Sequence, residues 1–151
     1  MKALFAIALL FVSSHLIQGQ FVAKMEIKEP IEGICDINNV YALFPMFEGQ
    51  KEALCPVSEK EILKRLNDQV QFIKDKPKYK DKGMIGLIIN CKGELIHSKM
   101  DNETKSQELD RQIEQVFSSL GEWKAGKLNG KSVDSSKLFS FIIKKGKFYM
   151  E

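Results

Sequence analysis

The chain has 151 residues, of which 44% are hydrophobic, and carries 23 Lys and Arg against 20 Asp and Glu. That length and apolar share suit one domain with a modest core. A formal charge of +3 is too weak to select nucleic acid as the partner.

Lys2, the apolar run Ala3 to Val12, the break at Ser13-Ser14-His15 and then Gly19-Gln20 have the layout of a secretory signal peptide over residues 1–19. Cleavage after Gly19 leaves Gln20 as the mature N-terminus of a periplasmic or exported protein. The alternative is an inner-membrane anchor through residues 3–17, whose apolar core is short for a span of about 20 residues. Residues 20–43 form a mixed N-terminal lead-in, in which Ile34 to Leu43 alternates loosely and is expected to add a peripheral strand. Outside the cytoplasm a disulfide is permitted. Cys35 with Cys55 is the expected pair, with Cys91 left over beside the Lys92-Gly93 turn; three reduced thiols are the alternative.

Residues 44–151 carry the main domain. Phe44-Pro45-Met46-Phe47-Glu48-Gly49 reads as a loop, broken by Pro45 and Gly49. Ser58 with Glu61 forms a capping-box signature, and Ile62, Leu63, Leu66, Val70 and Ile73 recur at helical spacing. One helix from about Glu59 to Ile73 is therefore expected. Lys74 to Lys82 is a lysine-rich connector containing Pro77, read as a solvated loop because Asp75 and Asp81 dilute its charge. A strand from Met84 to Cys91 turns at Lys92-Gly93 and returns as Glu94 to Met100. Leu109, Ile113, Val116, Phe117 and Leu120 mark a second amphipathic helix, with Gly121 placed to end it. Trp123 is expected to seal the end of the core. After a polar turn on Asn129-Gly130, Leu138 to Ile143 is the most strand-like stretch of the chain.

Chemistry-bearing constellations are scarce. His97 is the one histidine after Gln20 and has no nucleophile signature beside it, and Asp101 with Glu103 reads as turn chemistry. There is no Gly-rich phosphate loop, no metal-ligand spacing and no Ser or Cys elbow. The sequence is thus read as a non-enzyme without cofactor or metal.

The order of these segments resembles the C-terminal domain of the TonB family, the energy transducers of Gram-negative envelopes. The resemblance covers Phe44 to Phe148. It rests on Pro45-Met46-Phe47-Glu48-Gly49-Gln50 as the entry motif, Gly83 and Gly86 before the first strand, the Lys92-Gly93 hairpin, and Leu109-Asp110 in the helix. Trp123-Lys124-Ala125-Gly126 and Asn129-Gly130-Lys131 complete it. Two departures stand out, besides Ala125 in place of the usual proline. Before Gly83 the chain reads Asp75-Lys76-Pro77-Lys78-Tyr79, where the family has Tyr-Pro and a small helical residue. It also has four scattered prolines and a removable signal instead of a retained anchor and a proline-rich spacer. The resemblance implies an α+β, two-layer fold: a small three-stranded antiparallel sheet with two helices on one face, in the order α-β-β-α-β. It also implies binding of an extended peptide from an outer-membrane receptor barrel or other envelope protein, as a strand added at a free sheet edge. The expected recognition strand comprises Phe139, Ser140, Phe141, Ile142, Ile143, Lys144 and Lys145. Two alternatives are a self-associating envelope protein, a homodimer through that edge, and a small exported inhibitor-like binder of cystatin-like shape. The latter lacks the Gln-x-Val-x-Gly hairpin.

Overall fold

A computed structural model describes residues 21–27 and 29–151. The expected signal peptide at 1–19, and the alternative anchor at 3–17, lie outside the described residues. In chain order the elements are β1 (Ala23–Met25), β2 (Val40–Ala42), β3 (Gln50–Lys51), α1 (Glu59–Gln69) and α2 (Gln71–Asp75). They are followed by β4 (Asp81–Ile89), β5 (Leu95–Asn102), α3 (Gln107–Ser118), β6 (Gly126–Leu128), β7 (Lys131–Val133), β8 (Ser135–Lys144) and β9 (Lys147–Met150).

α1 starts where its caps place it. The Ser58 hydroxyl accepts the Glu61 N–H at 3.2 Å, and Glu59 and Glu61 sit in the positive first turn. The expected single helix to Ile73 is broken in two. Val70 adopts an extended conformation, and the Phe72 N–H that restarts the helix is taken by Gln112 Oε1 of α3 at 3.0 Å. The break turns Phe72 and Ile73 into the core. α3 is capped by Ser106 and buries Leu109, Ile113, Val116 and Phe117, as its spacing predicts.

The expected three-stranded sheet with two helices is not what forms. Among the described residues nine strands make a six-stranded mixed sheet and a separate three-stranded sheet, β3-β6-β7, with three helices. The large sheet runs β1-β2-β8-β4-β5, and β9 also pairs with β8. β2 lies parallel to β8 through Tyr41↔Ser135 and Ala42↔Ser136; its other neighbours are antiparallel. The three strands expected of the main domain are only the β5-β4-β8 part of it, and β2 lies within the stretch Ile34 to Leu43, where a peripheral strand is expected.

The extra strands have a local cause. Leu128↔Lys131 and Lys144↔Lys147 each enclose two residues with positive φ: Asn129 and Gly130 (50° and 81°), Lys145 and Gly146 (51° and 65°). Both are two-residue turns whose twist matches paired strands, so each folds the following residues back as a neighbour.

β4 and β8 alternate cleanly. Ile85, Leu87 and Ile89 of β4 join Phe139, Phe141 and Ile143 of β8 in the core with Ile62, Leu66, Ile113 and Phe117. Trp123 is buried at one end of this core, edge-on to Phe139. Met84, Leu138, Ser140 and Ile142 fall on the opposite, helix-free face. Part of that face is overlain by the lead-in, where Ile27, Ile31 and Val40 share a cavity with Ile88 and Ile96. Among the described residues no helix is long and apolar enough to cross a membrane.

Candidate functional site

The expected recognition strand is the second half of β8 with the following Lys145, for which the resemblance implies a free edge. Phe139, Phe141 and Ile143 are buried in the core, Ser140 and Ile142 are half-buried on the other face, and Lys144 and Lys145 are exposed. β8 is bonded to β4 from Ser135 to Ile143. Its other side is taken by β9 over Phe141 to Lys144, by the Glu151 N–H at the Ser140 carbonyl (3.1 Å), and by β2 at Ser135 and Ser136. The strand therefore lies inside the sheet and not at its margin. The Lys145-Gly146 turn supplies one neighbour and the lead-in supplies the other.

The margins lie elsewhere. β9 is closed by a side chain: Asn67 Oδ1 accepts the Phe148 N–H at 3.0 Å, and its Nδ2 donates to the Phe148 carbonyl at 3.4 Å. One carboxamide thus stands in for a peptide group of a further strand. β1 offers three residues.

β5 is the longer margin. Glu114 of α3 takes the outward Met100 N–H at 3.0 Å and pairs with Lys99 Nζ at 3.1 Å. Lys99 and Ser98 oppose Gly86 and Leu87 without a register break, so Ser98 points its N–H and C=O outward as Met100 does. Neither Ser98 group has a partner among the described residues, and its buried Oγ is also unpaired. Beside it runs a groove of about 610 Å³ between β5 and α3, walled by Leu95, His97, Lys99, Arg111, Glu114 and Ser118. The walls are mainly polar or charged, and His97 has no hydrogen-bonded partner among the described residues to orient it as a base. Such a groove is suited to holding an extended chain, with backbone bonds on one side and side-chain contacts on the other.

The cysteines also differ from expectation. Cys35 is bonded to Cys91, with Cα atoms 6.1 Å apart, and Cys55 is free. Asp134 explains the pairing. Its Oδ2 accepts the N–H groups of Cys35 (2.9 Å) and Asp36 (2.7 Å), and its Oδ1 that of Cys91 (2.8 Å). Asn90 adds a bond from Nδ2 to the Gly33 carbonyl at 2.9 Å. The lead-in is thus drawn to the β4–β5 turn, away from Cys55, whose thiol is pushed up by burial. Cys35, Cys91 and Asp134 bring ligand atoms within 4.8 Å of one another. With the sulfurs joined and both carboxylate oxygens accepting N–H bonds, this cluster is a structural clamp and not a metal-ligand set.

The β5 groove carries little sequence signal, because Glu114 reads as an ordinary charge on a helix face and Ser98 as an ordinary strand residue. Comparison with known proteins yields no matching family model, no matching curated protein and no matching solved structure.

Proposed function

We propose that this chain is an exported protein-interaction module, working as TonB C-terminal domains do, which takes an extended peptide of an envelope partner as an added strand on β5. The observation that carries the proposal is the unpaired Ser98 backbone beside an open groove between β5 and α3. An edge residue with both polar groups free and a helix wall alongside is the arrangement that strand addition uses. The resemblance supplies the partner class, an outer-membrane receptor barrel or a similar envelope protein. The layout of residues 1–19 supplies export. The role proposed is binding of that partner's peptide, in TonB-dependent transport.

Extended peptides selected by display against the chain from Gln20 onward test this. Their binding is expected to shift the amide resonances of Ser98, Lys99 and the facing turns of α3. Ser98→Pro removes one outward donor, and an edge strand tolerates proline on that side. It should weaken binding about threefold to tenfold. Equal binding by a folded Ser98→Pro variant, or shifts confined to β8 and β9, would sink the proposal.

A further inference from the structure

Two lysine runs far apart in sequence meet at one end of the large sheet. The stretch from the end of α2 to the start of β4 carries Lys74, Lys76, Lys78, Lys80 and Lys82, and the tip of the β8–β9 hairpin carries Lys144, Lys145 and Lys147. The Gly146 N–H donates to the Tyr79 carbonyl at 3.1 Å, and a Cβ at Gly146 would stand 2.9 Å from Pro77 Cα. The turn therefore rests directly on the connector. These two segments hold eight lysines and two aspartates, net +6, while the rest of the chain holds fifteen basic and eighteen acidic residues, net −3. The small overall charge conceals a strong asymmetry.

Most of this charge is available. Lys74 donates to the Asp68 carbonyl, and Lys76 covers the Phe72 ring at 3.8 Å. The other six lysines are exposed and make no ion pair among the described residues. The two aspartates are engaged: Asp75 accepts from Gln71 Nε2 at 2.7 Å, and Asp81 accepts from the Tyr79 hydroxyl at 2.6 Å and the Lys105 N–H at 2.9 Å.

The register adds an apolar component. Lys82, Ile142 and Tyr149 form one cross-strand row on the helix-free face, and Lys144 with Lys147 forms the next. Tyr149 is 46% exposed, and Leu138, farther along the same face, is 55% exposed. Lysines flanking an exposed tyrosine, with an exposed leucine farther along the same face, suit a membrane interface. There the lysine stems lie along hydrocarbon, their ammonium groups reach phosphates, and the phenol sits at headgroup depth.

The geometry points to the basic end of this helix-free face as a peripheral docking surface for anionic lipid headgroups. A soluble polyanion would use the lysines but gain nothing from Tyr149 and Leu138. The surface is distinct from the β5 groove, so either proposal can fail without the other.

The test uses the chain from Gln20, which contains every described element, with vesicles of phosphatidylglycerol and phosphatidylcholine or of phosphatidylcholine alone. Sedimentation should show binding to the anionic vesicles only. Lys82→Glu, Lys144→Glu and Lys147→Glu together should weaken it about a hundredfold. Lys60→Glu, Lys127→Glu and Lys131→Glu make the same change in net charge elsewhere and should weaken it less than about tenfold. Glutamine at the three patch positions carries the test if the charge-reversed chain does not fold. Tyr149→Ser and Leu138→Ser should each weaken vesicle binding several-fold and leave binding to soluble polyphosphate unchanged. Equal losses from the two triple variants, or no effect of Tyr149→Ser and Leu138→Ser on vesicle binding, would overturn the inference.

Discussion

Tyr79 and Asp81 pin the connector to the body of the fold. The phenol donates to Asp81 Oδ2 at 2.6 Å and packs edge-on against Phe72 with ring centroids 5.0 Å apart. Asp81 also accepts the Lys105 N–H just before α3 and the Lys82 N–H, each at 2.9 Å. Burial, then the bond to Asp81 and its charge, push the Tyr79 phenol up from its ordinary 10.0 to about 12. For Asp81, burial pushes the other way, but the bonds from Lys105, Tyr79 and Lys82 outweigh it and hold the carboxyl below its ordinary value. A raised phenol pKa stabilises the fold fully below pH 10, and that contribution is lost as pH rises toward 12. A lowered carboxyl pKa stabilises above the ordinary carboxylate value and is lost as pH falls through the folded one. Urea unfolding of the parent and Tyr79→Phe should therefore differ by a constant amount from neutral pH to about 10, with the gap shrinking toward 12. A gap that stays level across that range would show that the phenol does not carry this linkage. From sequence, the connector is a solvated, lysine-rich loop. The anchoring amide of Lys105 lies 24 residues from Asp81, beyond any local pattern.

At the scale of elements, the sheet closes its margins with helix side chains. Asn67 of α1 occupies both backbone groups of Phe148 on β9, and Glu114 of α3 occupies the Met100 N–H on β5. An edge closed in this way is unavailable to another chain, which leaves the Ser98 stretch as the longer open margin. Asn67→Ala should uncover β9 and cost about 1–3 kcal/mol, since one buried N–H loses its acceptor. Denaturant unfolding reads the loss, and sedimentation velocity should reveal new self-association through the uncovered strand. A monomeric variant with parental stability would refute the capping role. The helices that carry these caps were legible: Ser58 with Glu61, and the spacing of Ile113, Val116 and Phe117, place α1 and α3 closely. Their inward faces follow from periodicity, whereas an outward Asn or Glu that reaches a strand edge has no pattern to announce it. The short strands were hidden for a related reason. Gln50–Lys51, Lys131–Val133 and Lys147–Met150 hold little apolar alternation and exist because turns or neighbouring strands bring them into register.

The whole molecule divides into a self-sufficient core and a clamped lead-in. The main buried cluster runs from Ala53 to Phe148 and includes neither Val40 nor Leu43, so the core is complete without residues 21–43. Those residues are held by the Cys35–Cys91 bond, the three amides on Asp134, and two-residue pairing of β2 with β8. Sequence placed a strand between Ile34 and Leu43, and β2 lies there. It could not place that strand against β8, because the join depends on one buried aspartate and one long-range disulfide. The bond spans a separation of 56 residues, and closing such a loop in the unfolded chain is worth about 4 kcal/mol in the chain-entropy model. Cys35→Ser with Cys91→Ser should lower unfolding stability by about 2–4 kcal/mol. Asp134 still anchors the three amides in that variant, so Asp134→Asn on the same background should release the lead-in. Amide exchange distinguishes this two-part picture from a single cooperative unit. In the triple variant, β1 and β2 should lose protection while β4, β8 and α3 keep theirs. Equal loss of protection across β2, β4 and α3 would mean that the lead-in is integral to the core. In that case the covering of β8 could not be separated from folding itself.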